Sequence, residues 1–176
     1  MSNLQNYQST ASQTKSTQPD SMGAAEVFEQ LFELFQTGNV SAMFDMMAED
    51  AVMEFPFAPP KRTRLVKGKS NIIKYNQGIL GIVAFTGMTD VEIYRTIDPD
   101  CVIVEMTGHG TILATGDTFE RRYIEVGRTE NGLITLIRDY WNPQDSPKLS
   151  FIAKLKVAYS IFHKKLKNNR HPRKAD

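Results

Sequence analysis

The 176-residue chain is predicted to fold as an α+β domain, with three amino-terminal helices packed in a curved antiparallel sheet. Apolar residues recur at helical spacing in the first half of the chain, and four runs rich in Val, Ile, Thr and Tyr follow between residues 88 and 141. Hydrophobic residues make up 41% of the sequence, which is enough for the core of one domain of this length. A sheet wrapped over helices in this way would form a cone with an inner cavity.

The first helix is predicted to begin at Ala24 and to end before Gly38, which is suited to a C-terminal cap. Its apolar face consists of Val27, Phe28, Leu31, Leu34 and Phe35. A shorter second helix follows, with Asn39 or Ser41 as its cap. Its apolar side would contain Met43, Phe44, Met46 and Met47.

A short strand is predicted at residues 51–57, where apolar and other residues alternate and prolines end the run. The third helix is predicted from Gly68 to Leu80, with Ser70 as a candidate cap. The remaining strands are predicted at residues 88–97, 101–114, 117–128 and 133–141. Turn-forming segments separate them, namely Asp98-Pro99-Asp100, Gly116-Asp117 and Asn131-Gly132.

The two ends of the chain differ in composition from this pocket domain, which is predicted to span residues 23–145. Residues 1–22 are polar and are predicted to be a disordered lead. Residues 146–176 are predicted to form a basic amphipathic helix and tail, because nine basic residues and one acidic residue after position 147 give a net charge of +8. That helix would dock on its own domain or on a second subunit, or contact an anionic membrane surface.

The composition also excludes several classes of protein. The remainder of the chain carries a net charge of −7, so we expect no nucleic-acid partner. Cys101 is the only cysteine, which excludes an intrachain disulfide framework, and we expect no metal site. No apolar run approaches the length of a membrane span, and the amino terminus is unlike a signal peptide, so a cytoplasmic location is expected.

Residues 136–143 are the most informative segment, because an apolar strand ends there in side chains that can hydrogen-bond, stack or transfer a proton. Asp139 shares strand parity with Thr135, Ile137 and Trp141. A carboxyl buried in an apolar cone would have its pKa raised, as a general acid or base working near neutral pH requires. The alternative is that Asp139 forms an ion pair, with Arg138, Arg121 or Arg122 as the partner.

His109 lies between two glycines in a predicted strand, and Glu105 shares its parity. If that face is turned inward, Glu105, His109 and Asp139 form an acid/base cluster. If it is turned outward, the same residues belong to a subunit interface. A partly buried, hydrogen-bonded histidine is an equally good interpretation of His109.

Aromatic and basic side chains complete the candidate binding site. Arg121 and Tyr123 share one face of their strand, where they could hold an anionic group and stack on a planar one. Phe55 and Phe57, together with Met53, would line an apolar wall suited to a hydrophobic or aromatic ligand, although packing in the core is the alternative for each of them. Trp141 would join Phe55 and Phe57 in excluding water from the site.

Several short motifs carry a family resemblance over about residues 23–145. They are Phe55-Pro56-Phe57-Ala58-Pro59-Pro60, Gly108-His109-Gly110, Arg122-Tyr123, Asn131-Gly132 and Arg138-Asp139-Tyr140-Trp141-Asn142-Pro143. In this order they resemble the SnoaL-like branch of the nuclear transport factor 2 superfamily, and most of all its phenazine-biosynthesis A/B type. The resemblance implies an NTF2-like cone and a homodimer. It also places Asp139 where phenazine-type members have a glutamate that is proposed as a general acid.

The residues and the resemblance together lead to a functional expectation. We expect a cofactor-free small-molecule enzyme, of the kind found in secondary metabolism, that performs isomerisation, cyclisation, dehydration or condensation on a planar or polycyclic substrate. Asp139 would transfer the proton and His109 would assist it. The alternatives are a non-catalytic ligand carrier and an assembly domain recruited by its basic tail, since this fold hosts many functions.

Overall fold

The computed structural model describes residues 22–145 of the chain. The predicted lead and the predicted carboxyl-terminal helix fall outside the described residues, apart from Met22. Helices α1 and α2 span Ala24–Gln36 and Val40–Asp45, and α3 spans Lys69–Leu80. The strands are β1 (Met47–Glu54), β2 (Leu65–Lys67), β3 (Val83–Arg95), β4 (Cys101–Ile112), β5 (Thr118–Glu130) and β6 (Leu133–Trp141).

The six strands form one curved sheet in the order β2-β1-β6-β5-β4-β3. Strand β1 pairs with β6 in parallel, whereas the other neighbouring strands are antiparallel. The sheet is therefore mixed, and the prediction of an antiparallel sheet was wrong for the β1–β6 pair. The parallel pair forms because the chain leaves β1 through β2, α3 and three further strands before it returns beside β1.

The element bounds also differ from the predictions in detail. Strand β1 begins at Met47 and ends before Phe55, so it starts within the segment assigned to the second helix. Asn39 caps α2, where its side chain accepts a hydrogen bond from the Ala42 amide at 3.3 Å. Helix α3 is preceded by Gly68 with φ of +84°, so Ser70 is not its cap.

The core lies between α1 and the concave face of the sheet. Helix α1 buries Ala24, Val27, Phe28, Leu31 and Phe32 there. The Phe28 ring lies so close to Gly127 of β5 that a Cβ atom at this glycine would approach three of its ring carbons closer than 3 Å. Glycine is therefore required at this position by close packing, and the contact identifies the inner face of β5.

The β5–β6 hairpin turns at Asn131-Gly132, as predicted, with φ of +52° and +76°. A β-bulge follows, because Thr129 pairs with Ile134 whereas Arg128 pairs with Leu136. The extra residue is Thr135, and the alternation of β6 is interrupted there. As a result Ile134 and Ile137 are both buried although they are three positions apart.

Candidate functional site

The candidate site lies on the inner face of β5 and β6. On β5, Arg121, Tyr123 and Glu125 share the face of Gly127, which contacts α1 through Phe28. On β6, the same face is formed by Ile137, Asp139 and Trp141 beyond the bulge. The strand register places Tyr123 opposite Trp141 and Glu125 opposite Asp139.

Asp139 is buried at its carboxyl end. Its Oδ1 atom is shielded from solvent and has no hydrogen-bond partner among the described residues. Burial raises the pKa of Asp139 to about 7 from the ordinary value of 3.8, and the positive charge of Arg121 opposes part of that increase. A carboxyl with this pKa can both donate and accept a proton near neutral pH.

Two of the three candidate ion-pair partners of Asp139 are engaged elsewhere, on the outer face. Arg138 donates from Nε to Glu54 Oε2 at 2.6 Å. Arg122 donates from Nη2 to Glu105 at 3.2 Å. Arg121 is therefore the remaining candidate, and it acts on Asp139 by its charge, since no ion pair between the two is formed within 4 Å among the described residues.

Arg121 lies within a group of aromatic rings. Its guanidinium carbon is 4.9 Å from the centre of the Trp141 ring and 5.9 Å from that of Tyr123. The Phe119 ring lies at 5.8 Å. Such cation–π contacts hold the cation in place. The Arg121 Nε atom is nevertheless buried without a partner among residues 22–145, so a donor as well as an acceptor is left unsatisfied in this region.

Tyr75 and Phe55 extend the site toward α3. The two rings are 5.2 Å apart between centroids. Burial raises the pKa of the Tyr75 phenol, and the negative charge of Asp139 raises it further, which shows that the two groups interact electrostatically. Burial also raises the pKa of Tyr123. Both phenols therefore stay protonated at neutral pH and can donate hydrogen bonds.

Glu125 is a site residue that the sequence prediction missed. Burial raises the pKa of its carboxyl to about 8, and the neighbouring charge of Asp139 contributes to this increase. The signal for it was present, because Glu125 shares strand parity with Arg121 and Tyr123. Tyr75 was missed as well, and no sequence signal could have found it, since the orientation of α3 is set by tertiary packing.

The structure places His109 and Glu105 on the outer face of the sheet, whereas their part in a subunit interface stays a prediction. The neighbouring β4 residues Val104 and Met106 are buried in the core, so Glu105 and His109 lie on the opposite face. His109 Nε2 is 2.9 Å from the Thr89 hydroxyl. The expected cluster of these two residues with Asp139 is therefore not formed.

Phe57 also lies apart from Asp139. Its side chain is 60% exposed and packs edge-on against Tyr140, with 5.3 Å between the ring centres. Phe55, by contrast, is 4% exposed and belongs to the core beside the site. Of the predicted site residues, the structure thus brings together Phe55, Arg121, Tyr123, Asp139 and Trp141.

A depression of about 340 Å³ lies beside His109. Its lining includes Thr86, Thr111, Thr118, Phe119 and Glu120. None of Tyr123, Asp139 and Trp141 lines it. This depression is open, and we place the candidate chemistry at the buried carboxyls instead, because raised pKa values and unsatisfied polar atoms coincide there.

Within residues 22–145, no group of His, Cys, Asp and Glu side chains is arranged to hold a metal ion. The same part of the chain contains no helix with the length and apolar composition that a membrane crossing needs.

Comparison with known proteins agrees with this architecture. The family model described as "SnoaL-like domain" matches residues 28–137. An uncharacterized PhzA/B-like protein of Pseudomonas aeruginosa is 34% identical over 122 residues, which cover 69% of this chain and 86% of the relative.

Two solved structures share the fold. A crystal structure from Bacillus subtilis, named as a candidate isomerase, is 30% identical with a TM-score of 0.63, over 69% of this chain and 88% of that one. A computationally designed 17-OHP binder is 24% identical with a TM-score of 0.59, over 69% of this chain and 94% of the binder. The sequence match over most of the domain, together with the mixed curved sheet, shows that the chain belongs to the SnoaL-like domain family, with an NTF2-like fold.

Proposed function

We propose that this protein is a cofactor-free enzyme that performs acid/base chemistry on a planar or polycyclic small molecule, with Asp139 as the proton-transferring group. The observation that supports this most directly is the Asp139 carboxyl, which has a pKa of about 7 and a buried oxygen without a hydrogen-bond partner in the described part of the chain. A structural aspartate would instead be expected to have its buried oxygens hydrogen-bonded. Isomerisation, cyclisation, dehydration and condensation all need such a group.

The surrounding side chains suit the same chemistry. Arg121 would stabilise negative charge that develops on a substrate oxygen, because its Nε–H group is buried and has no partner among the described residues. Tyr123, Phe55 and Trp141 would stack on the substrate and exclude water. His109, Glu105 and Phe57 have no part in this proposal, since they lie away from Asp139.

The family adds support for a small, mainly apolar ligand. The solved structures named above include a candidate isomerase and a designed 17-OHP binder, and both have the same fold as this chain. We further propose that the chain acts in the cytoplasm as a homodimer. Measurement of its molar mass in solution tests whether it is a dimer.

The experiment that tests the proposal compares metabolites in extracts of the native host. Four strains are needed: wild type, a gene deletion, Asp139→Asn at wild-type protein level, and Asp50→Asn as a matched control. Asp50 lies exposed on β1. We expect the deletion and Asp139→Asn to accumulate the same precursor, and Asp50→Asn to resemble the wild type.

The opposite outcome is equally informative. If the deletion changes the metabolites but Asp139→Asn does not, Asp139 is not the proton-transferring group. A carrier without chemistry would bind its ligand in either form and leave no accumulated precursor.

A further inference from the structure

Glu125 carries a carboxyl group that the proposed mechanism does not use, although it lies directly opposite Asp139 in the sheet. We propose that Glu125 is a positioning residue that shares one proton with Asp139 and thereby keeps the Asp139 carboxyl able both to give and to take a proton. The role of this pair in proton transfer to a substrate rests on the proposed acid/base function. The sharing of the proton between the two carboxyls is independent of that function.

The geometry of the hairpin brings the two side chains together. Glu125 and Asp139 are Cα partners in antiparallel strands and point to the same inner face. Directly opposed residues in such a pair have Cβ atoms about 5 Å apart. Two carboxyl groups on these stems are within reach of one another.

The core closes the space behind Glu125. The next inward position of β5 is Gly127, and the Phe28 ring of α1 occupies the place where a side chain would stand. Glu125 therefore has apolar core on one side and Tyr123 on the other. A carboxylate at this position loses its hydration, which disfavours its charged form.

Few charged and titratable groups from residues 22–145 surround the pair. Strand β5 contributes Arg121 and Tyr123, and α3 contributes Tyr75. Helix α1 contributes the apolar ring of Phe28. The positive charge of Arg121 acts on Asp139, but no cation is among the causes that shift the pKa of Glu125.

This asymmetry decides which group holds the proton. The charge of Arg121 favours the ionised form of Asp139, whereas Glu125 has no such cation among the causes of its raised pKa, so the shared proton resides mainly on Glu125 near neutral pH. Asp139 is then partly ionised and is stabilised by Arg121. Two like charges at this separation in an apolar site cannot both form easily, which is why one proton is retained.

The pair allows Asp139 to act either as a base or as an acid. When Asp139 takes a proton from a substrate, the pair holds two protons. Asp139 can then deliver its proton to another atom of the substrate. While Asp139 is ionised, transfer within the pair breaks the O–H bond on Glu125 as an O–H bond forms on Asp139, with no net change in protons or electrons.

The test is a pH titration of the protein with ¹³C-labelled Asp and Glu side chains, followed by NMR from pH 4 to 9. In the wild type we expect the carboxyl carbons of Glu125 and Asp139 both to respond to two coupled steps. In Asp139→Asn the repulsion is removed, and the pKa of Glu125 should fall by about one unit, a tenfold change in proton affinity. In Glu125→Gln, Asp139 should titrate in a single step.

Glu130→Gln provides the matched control, because Glu130 is an exposed glutamate on the same strand and its replacement should leave both titrations unchanged. Independent single steps in the wild type, or an unchanged pKa of Glu125 in Asp139→Asn, would overturn the proposal. If one of the two variants does not fold, the other reports the same coupling from the opposite side.

The titration also separates this proposal from the proposed function. If the two carboxyls titrate together but the Asp139→Asn strain accumulates no precursor, the shared proton is supported and the proposed enzymatic function is refuted. If that strain accumulates a precursor but the two carboxyls titrate independently, the enzymatic function is supported and the shared proton is refuted.

Discussion

Raising the pH from 5 to 8 is expected to destabilise the protein through Asp139 and Glu125. In the unfolded chain these carboxyls lose their protons near the ordinary pKa values of 3.8 and 4.5, whereas burial holds the native values near 7 and 8. Between these limits the native state binds more protons than the unfolded state. The free energy of unfolding therefore falls as the pH rises, which is the opposite of the effect of a carboxylate held in an ion pair.

The size of this effect follows from the number of protons involved. One proton that is bound only in the native state changes the free energy of unfolding by about 1.4 kcal/mol per pH unit. Between pH 5 and 7 one such proton thus lowers stability by about 3 kcal/mol, and the second carboxyl, which is also protonated at pH 5, adds to this fall. That is a substantial part of the roughly 5–15 kcal/mol that stabilises an ordinary domain.

Urea denaturation at pH 5, 6, 7 and 8 measures this dependence directly. The neutral variants Asp139→Asn and Glu125→Gln should show a shallower fall than the wild type, and at pH 8 they should be at least as stable. Glu130→Gln should follow the wild type. Parallel curves for the wild type and both neutral variants would refute the reasoning, because they would show that neither carboxyl binds an extra proton in the native state.

Two further predictions concern the neighbours of the pair. Gly127→Ala should destabilise the protein by about 1–3 kcal/mol in urea denaturation, because the added methyl group would overlap the Phe28 ring, whereas Gly87→Ala has open space and should change stability much less. An equal effect of both glycine variants would contradict the close packing of α1 on the sheet. Arg121→Gln should raise the pKa of Asp139 in the ¹³C titration, since the guanidinium charge lowers it in the native protein. A pKa that stays the same or falls would show that Arg121 does not act on this carboxyl.

The hairpin and the strands around it could be predicted from the sequence because local chemistry determines them. Asn131-Gly132 suits a turn with two positive φ values, and the flanking alternation defines the strands. Strand β2 could not be predicted, since three residues carry no periodicity. The parallel pairing of β1 with β6 depends on the packing of the whole domain, and no local pattern encodes it.

The site could be predicted from the sequence only as far as the alternation of side chains along each strand determines it. Alternation correctly grouped Asp139 with Ile137 and Trp141, and Arg121 with Tyr123. It could not show which face of a strand is turned inward. The sequence therefore does not decide on which face of the sheet His109 lies, whereas the packing of α1 on the sheet does.

The bulge at Thr135 has a consequence for how such a site arises. Continued without interruption from the turn, the pairing of Glu130 with Leu133 would set Glu125 opposite Arg138 instead of Asp139. The same sequence would then bury an ion pair of Glu125 with Arg138, and Asp139 would face outward. One extra residue in a hairpin thus separates an inert charge pair from two carboxyls that compete for a proton. A single inserted residue is therefore enough to change one arrangement into the other, and no carboxyl or guanidinium side chain has to be replaced.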